Sequence, residues 1–396
     1  MSSAQIEPVR LTIGPDIYRD LRSVAEAGRV VPVLLHGTVK VWFLTRAADI
    51  AEAAVDPRLS ADDAHLAGKD SAHRSSVKVA LMGMDGPAHL ERRRILMAPF
   101  SPRQISHLAP RIQLLADELV AAILPAGRAD LVNSVSLPLS LRVICELLGI
   151  PLSERPRFEA AVNKVFLPSA NAESEEIVRA AREELYRYFT DLTNQKDSFP
   201  ENSLLALLKQ EESLTPRDLI ESATLILFTG YETTANFIGN ALLALLKNPE
   251  ELQLLRAHPS KTAQAVEELL RYCGPVATGP TRYTREEVVI GGSRIPAGER
   301  VILGFGCANR DAARFDAPDR LNIEARRDPH FAFGRGPHYC LGAALAKVES
   351  EIGIRTIVDR LEDLELDGEP VWRASFLHGL ERLPVKYRSK RSEDDR

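Results

Sequence analysis

The stretch TPRDLIESATLILFTGYETTANFIGNALLALLKNPE, residues 215–250, constrains the fold more than any other part of the chain. Thr215 is placed to cap a helix, Pro216 suits its first turn, and Asp218 completes a capping box. The pattern ends at Asn248-Pro249, where the proline disfavours helical geometry in the residue before it. At about 1.5 Å per residue the helix is roughly 50 Å long. A helix apolar on most of its faces is buried in the middle of a domain. Yet its centre reads TGYETT. Gly230 there costs about 1 kcal/mol relative to alanine, and Glu232 is a carboxylate in apolar surroundings that needs a partner or a task. Gly230, Glu232 and the threonines mark a place where the helix opens and its polar groups face something other than protein core.

The remaining sequence reads as mostly helical, with small peripheral sheets, in a single body over residues 1–396 whose ends, 1–15 and 388–396, are flexible. Val41 to Thr45 read as a strand and RAADIAEAA as a helix that stops before Asp56-Pro57. Residues 60–85 are polar and weakly periodic and are expected to form a long loop, a kind of segment that is often functional. Helical patterns dominate from about 87 to 275. EVVIGGSRIPAGERVIL suggests two short strands around Gly291-Gly292, and a polar meander runs from Asn309 to His330. Acids and bases are interspersed at a formal net charge of −5, which argues against a nucleic-acid or anionic-membrane partner. The N-terminus lacks a secretory core, so neither a leader nor an anchor is expected. The four cysteines are far apart in sequence, which excludes a local Cys-x-x-Cys site and fits a reducing cytoplasm.

One of those cysteines has unusual neighbours, in FAFGRGPHYCLGAALAKVE. An isolated cysteine is ordinarily a small buried hydrophobe. Cys340 instead precedes a small-residue helix, where backbone N–H groups favour a thiolate. Gly334, Gly336 and Gly342 remove side chains, so a large flat group can approach the backbone. Phe333 can shield the sulfur from water. A shielded thiolate accepting N–H hydrogen bonds is what an axial iron ligand requires.

The pattern Phe333-Gly334-x-Gly336-x-His338-x-Cys340-x-Gly342 resembles the haem-binding loop of the cytochrome P-450 family, and the likeness extends from about residue 40 to 386. It implies that family's fold: mainly α with small β-sheets, a prism-like single body with haem between the long central helix and the Cys-loop helix. It also implies haem b as cofactor, with Cys340 as iron ligand and His338 on a haem propionate. His89 and Arg93, spaced i, i+4 in HLERR, and Arg282 in PTRYT match the other propionate partners. Paired cations for buried carboxylates are physically sensible, although Arg92 and Arg94 make a plain basic surface an alternative. Glu91 departs from the usual pattern, and local pairing with neighbouring arginines is its expected explanation. Glu268 and Arg271, one helical turn apart, with Arg320 of APDRL, match the family's structural network.

The central helix matches the family's oxygen-activation segment. The resemblance assigns Thr233 to hydrogen-bond dioxygen and Glu232 to relay protons. Thr229 stands where alanine is usual, and its hydroxyl is expected to bond back to the carbonyl four residues earlier. Substrate-facing positions would be Met82, Met84, Phe228, Thr229, Val276, Ala277, Thr278 and the turn Phe376 to Leu380, including Leu377. Tyr231 and His378 hint at a substrate with hydrogen-bonding groups: a peptide, a cyclic dipeptide or a decorated polyketide.

The resemblance implies a cytoplasmic monooxygenase of secondary metabolism that hydroxylates or epoxidises a small-to-medium organic substrate. NAD(P)H electrons would arrive through a separate ferredoxin and ferredoxin reductase, for which Arg103 and Arg335 are candidate contacts. Other readings stay open: oxidative C–C, C–N or C–O coupling without oxygen insertion, a haem sensor or carrier without turnover, and a helical scaffold without cofactor.

Overall fold

The computed structural model describes residues 8–11, 14–35, 37–66, 81–165, 172–194 (172–175 by backbone only), 199–200, 203–325, 329–373, 375 and 377–389. Most of the expected loop over 60–85, the extreme ends of the chain and Phe376 lie outside the described residues. The chain divides into two compact units. The first comprises Met1–Leu90, Gly239–Ala343 and Glu369–Leu383; the second comprises Glu91–Ile238, Ala344–Gly368 and Pro384–Arg396.

Five helices carry the residues of interest: α1 (Gly86–Leu96), α2 (Leu137–Leu148), α3 (Pro216–Lys247), α4 (Thr262–Cys273) and α5 (Ala343–Arg360). The long helix α3 begins and ends as its sequence dictates. The Thr215 N–H donates to Asp218 Oδ2 at 2.9 Å, and the Asp218 N–H donates to Thr215 Oγ1 at 3.2 Å. These two bonds satisfy donors that have no intrahelical partner. Pro249 opens a separate helix.

The first unit holds a six-stranded sheet built from β1 (Val9–Leu11), β2 (Val30–Leu35), β3 (Val39–Leu44), β4 (Leu59–Ser60), β5 (Thr281–Thr284) and β6 (Arg300–Leu303), in the order β1-β2-β3-β6-β5-β4. Side chains alternate across its faces. Val41, Phe43 and Ile302 pack with Ile17, Leu21 and Val24 on one side. Leu44, Val301 and Leu303 pack with Ile50, Phe305 and Phe331 on the other. The strands expected around Gly291-Gly292 form a hairpin of Val288–Ile290 with Ser293–Ile295. Both glycines have positive φ, 56° and 82°, which a two-residue hairpin turn of this type requires.

In the second unit, Leu361–Leu366, Pro384–Ser389 and Arg128–Asp130 form a three-stranded sheet with Pro384–Ser389 in the middle. Helix α2 lies close against two others. A Cβ added to Gly230 of α3 would sit 2.7 Å from Ile144 Cδ1, and one added to Gly353 of α5 would sit 2.9 Å from Leu139 Cδ2. Hydrogen in place of a side chain at both glycines is what lets the helices approach. No helix among the described residues is long and apolar enough to cross a membrane.

Candidate haem site

In the first unit the Cys loop turns on left-handed glycines. Gly334 and Gly336 have φ of 73° and 71°, a conformation that disfavours any side chain. A Cβ on Gly336 would also stand 2.7 Å from Val55 Cγ1. The loop is closed by the Cys340 N–H donating to the Phe333 carbonyl at 2.8 Å and the Tyr339 N–H to the Gly336 carbonyl at 3.0 Å. The Phe333 ring makes an edge contact with Tyr339, at 6.3 Å between centroids. Gly342 sits one residue before α5, half-buried. Cys340 is exposed, whereas Cys145, Cys273 and Cys307 are buried. Burial pushes each of those three thiols up to about 12.

His338 and His89 come together, with ring centroids 4.2 Å apart. His89 is buried, and His338 Nε2 lies 3.2 Å from Asp85 Oδ1. Burial alone would raise the Asp85 carboxyl, but hydrogen bonds from His338, Ser60, Ala61 and Arg285 outweigh it and hold the group below the ordinary range. Arg282, on β5, is 6 % exposed. Its Nη1 donates to the Thr281 carbonyl at 3.0 Å. Burial lowers its pKa, offset in part by the charge of Asp85. Among the described residues no carboxylate stands within ion-pair distance of Arg282. Arg93 falls in the second unit, one turn beyond His89 on α1, and is half-buried. Glu91 does not pair with its neighbouring arginines among the described residues. Arg92 reaches Asp218 instead, at 2.7 Å, because the capping box holds that carboxylate in place.

The Glu268–Arg271 pair is fully buried and bidentate, at 2.7 and 2.8 Å. Arg271 also donates to the carbonyls of Asn309, Pro318 and Arg320. The Asn322 N–H donates to Glu268 Oε1 at 3.1 Å. The expected third charge is corrected: the Arg320 side chain is exposed, and the residue joins the network by its carbonyl oxygen. Ala317, at φ 43°, places the chain in a conformation uncommon for a residue with a side chain, one residue before the Pro318 carbonyl that Arg271 uses.

In the second unit, α3 runs as an unbroken helix through its polar middle, so the opening expected there is corrected: what changes is exposure, not helical geometry. Thr229 is exposed and Phe228, Gly230 and Thr233 are half-buried, between buried runs on both sides. The Thr233 hydroxyl donates to the Thr229 carbonyl at 2.6 Å, and the Thr229 hydroxyl donates back to the Leu225 carbonyl at 2.8 Å. Glu232 is 4 % exposed. Ser140 of α2 donates to the Tyr231 carbonyl at 3.0 Å. A second buried acid, absent from the sequence reading, is Glu349 of α5. Burial raises its carboxyl to about 8, opposed by a hydrogen bond with the Ser140 hydroxyl.

The expected substrate positions behave differently from one another. Met82 is exposed, while Met84, Val276 and Thr278 are half-buried. Ala277 is a correction: it packs in the core of the sheet with Phe43 and Ile302, and its carbonyl accepts from the Gly306 N–H at 2.7 Å. Leu377 is buried. The His378 ring is stacked on Trp372 at 4.3 Å and edge-on to Tyr18 at 5.4 Å. Burial lowers its pKa to about 4. It serves packing in the first unit and is not a polar handle for a ligand.

These features fit haem. A buried guanidinium without a carboxylate suits a propionate, and the exposed cysteine lies at the end of a loop turned by two left-handed glycines.

Comparison with known proteins agrees. The sequence model of the family described as Cytochrome P450 matches residues 142–258 and 260–389. A vitamin D(3) 25-hydroxylase of Pseudonocardia autotrophica is 40 % identical over 87 % of this chain and 87 % of its own. Among solved structures, CYP105P1 in complex with filipin I has a TM-score of 0.86 at 27 % identity, covering 97 % of this chain and 100 % of its own. PksS, the cytochrome P450 of the bacillaene polyketide synthase of Bacillus subtilis, has a TM-score of 0.85 at 30 % identity, covering 94 % and 97 %. The chain belongs to the cytochrome P450 family. It is an oxidoreductase of the P450 monooxygenase kind, using haem b, O2 and electrons that come from NAD(P)H through partner proteins.

Proposed function

We propose that this protein inserts one oxygen atom into a largely apolar substrate of secondary metabolism, by hydroxylation or epoxidation, in the cytoplasm. Cys340 holds the haem iron, and His338, His89, Arg93 and Arg282 hold the haem carboxylates. The haem supplies dioxygen activation with two electrons from a ferredoxin and its reductase. Glu232 and Thr233 hold and move the protons that this chemistry consumes. A buried carboxylate such as Glu232 can exchange protons without admitting bulk water, and the Thr233 hydroxyl, anchored on the Thr229 carbonyl, is held in one orientation. The Glu268–Arg271 pair braces the meander that precedes the Cys loop.

The observation that supports this reading is the polar middle of α3, where Thr229 is exposed between buried turns and an acid and a hydroxyl stand beside it. Oxygen insertion is favoured over coupling because the relative at 40 % identity is named a hydroxylase. The relatives' names point to vitamin D(3), filipin I and a polyketide synthase and none to a peptide, which supports a decorated polyketide or a similar small molecule over a peptide.

Reduced protein with carbon monoxide is expected to show the long-wavelength Soret band of thiolate ligation, and Cys340→Ser to lack it. Turnover with ferredoxin and reductase is then read by product mass. A gain of one oxygen supports insertion. A loss of two hydrogens would replace it by coupling, and failure to consume dioxygen with any ligand that shifts the spin state would leave a sensor or carrier.

A further inference from the structure

Asp85 stands immediately before α1, the helix that carries His89. Its Oδ2 accepts from the Ser60 hydroxyl at 2.5 Å, the Ala61 N–H at 2.9 Å and Arg285 Nη2 at 3.1 Å. Its Oδ1 faces His338 Nε2 at 3.2 Å. Ser60 closes β4, which pairs with β5, the strand of Arg282. Arg285 follows the end of β5. The His338 ring meanwhile lies against that of His89. The three segments of the first unit that carry haem-carboxylate partners therefore meet at one carboxylate, across sequence separations of 24 to 253 residues.

We propose that Asp85 is a positioning residue for the haem carboxylates. It fixes the edge of the His338 imidazole and ties β5 and the start of α1 to the Cys loop, which sets the spacing of His338, His89 and Arg282. A side chain that binds an anion loses affinity when its own position is loose, because the missing order must be created on binding. Asp85 supplies that order where local structure is short: His338 sits in a three-residue 3-10 turn and Ser60 in a two-residue strand. The inference rests on the haem reading given above.

Haem transfer from purified holoprotein to excess apomyoglobin tests it, with the propionate bending modes followed by resonance Raman. Asp85→Asn is expected to shift those modes and to release haem about tenfold faster, the size of one charge-assisted hydrogen bond. Asp85→Glu restores part of the rate. Combined with His338→Gln, Asp85→Asn adds less than its separate effect, because both act on one ring. Asp367→Asn removes an equal charge in the second unit and leaves rate and modes unchanged. If Asp85→Asn does not fold, Ser60→Ala loosens the same carboxylate without changing charge and shifts both readouts in the same direction. Unmoved modes with an unmoved rate overturn the proposal. So does a lowered melting temperature with both readouts unmoved, which makes Asp85 scaffold only. A wild-type protein without the thiolate carbon monoxide band removes the haem reading as well; a normal band with unmoved variants removes this inference alone.

Discussion

Two buried arginines of the first unit have opposite surroundings. Arg271 is 1 % exposed and bonded to both oxygens of Glu268 and to three backbone carbonyls. Arg282 is 6 % exposed and donates to the carbonyl of its own neighbour. Burying a charge is expensive unless it is paired and hydrogen-bonded. The first site meets that requirement from within the chain and so belongs to the scaffold. The second leaves a cation with one neighbouring carbonyl and the charge of Asp85 to offset its burial, which is what the propionate-binding role proposed for it requires. The lesson is that the burial of a charged group says less than the list of what satisfies it.

The contrast is easiest to break at Arg271. Glu268→Ala strands a fully buried guanidinium, and removing one partner of such a pair costs about 3–5 kcal/mol. The expected result is a chain that accumulates unfolded, visible as a collapse of the denaturant midpoint; a midpoint close to wild type would return the pair to the status of a surface bridge. Arg282→Leu should do the reverse. It removes a buried charge from a chain that satisfies it poorly, so the fold is kept while haem loss accelerates by an amount corresponding to about 1–3 kcal/mol. Retained haem affinity in that variant would end the comparison.

A gentler effect sharpens it from the second unit. Glu349 holds its proton up to about pH 8 in the folded chain, against an ordinary value of 4.5. The folded state binds the extra proton between those values, so stability falls as pH rises from 4.5 to 8. Glu349→Gln is expected to flatten that slope in melting experiments across the same window, and a slope that persists would assign the pH dependence to other groups.

Much of this was legible in the sequence where a short motif determines its own geometry. The capping box and Asn248-Pro249 mark the ends of α3, Gly291-Gly292 marks a hairpin, and the glycine pattern before Cys340 marks the loop. Where function depends on which atom of a residue is used, or on partners far away in the chain, the sequence carries less. Arg320 contributes a carbonyl, so its charge misdirects the reader. Asp85 before Gly86-Pro87 reads as an ordinary turn acid, and nothing local announces Ser60, Arg285 or His338. Glu349 sits between serine and valine in a helix rich in other acids, and its burial becomes evident only when α2 is packed beside it. His378 reads as a polar group in a binding turn, but Trp372 and Tyr18 enclose it.

The distribution of sulfur has its own consequence. Cys145, Cys273 and Cys307 are buried thiols that remain protonated at neutral pH, and susceptibility to oxidation follows thiolate character and access. A catalyst that handles reactive oxygen within its own fold thus keeps three of its four cysteines as protonated thiols, so stray peroxide finds a poor target at each, and none of the three rivals Cys340 for the iron it is proposed to hold.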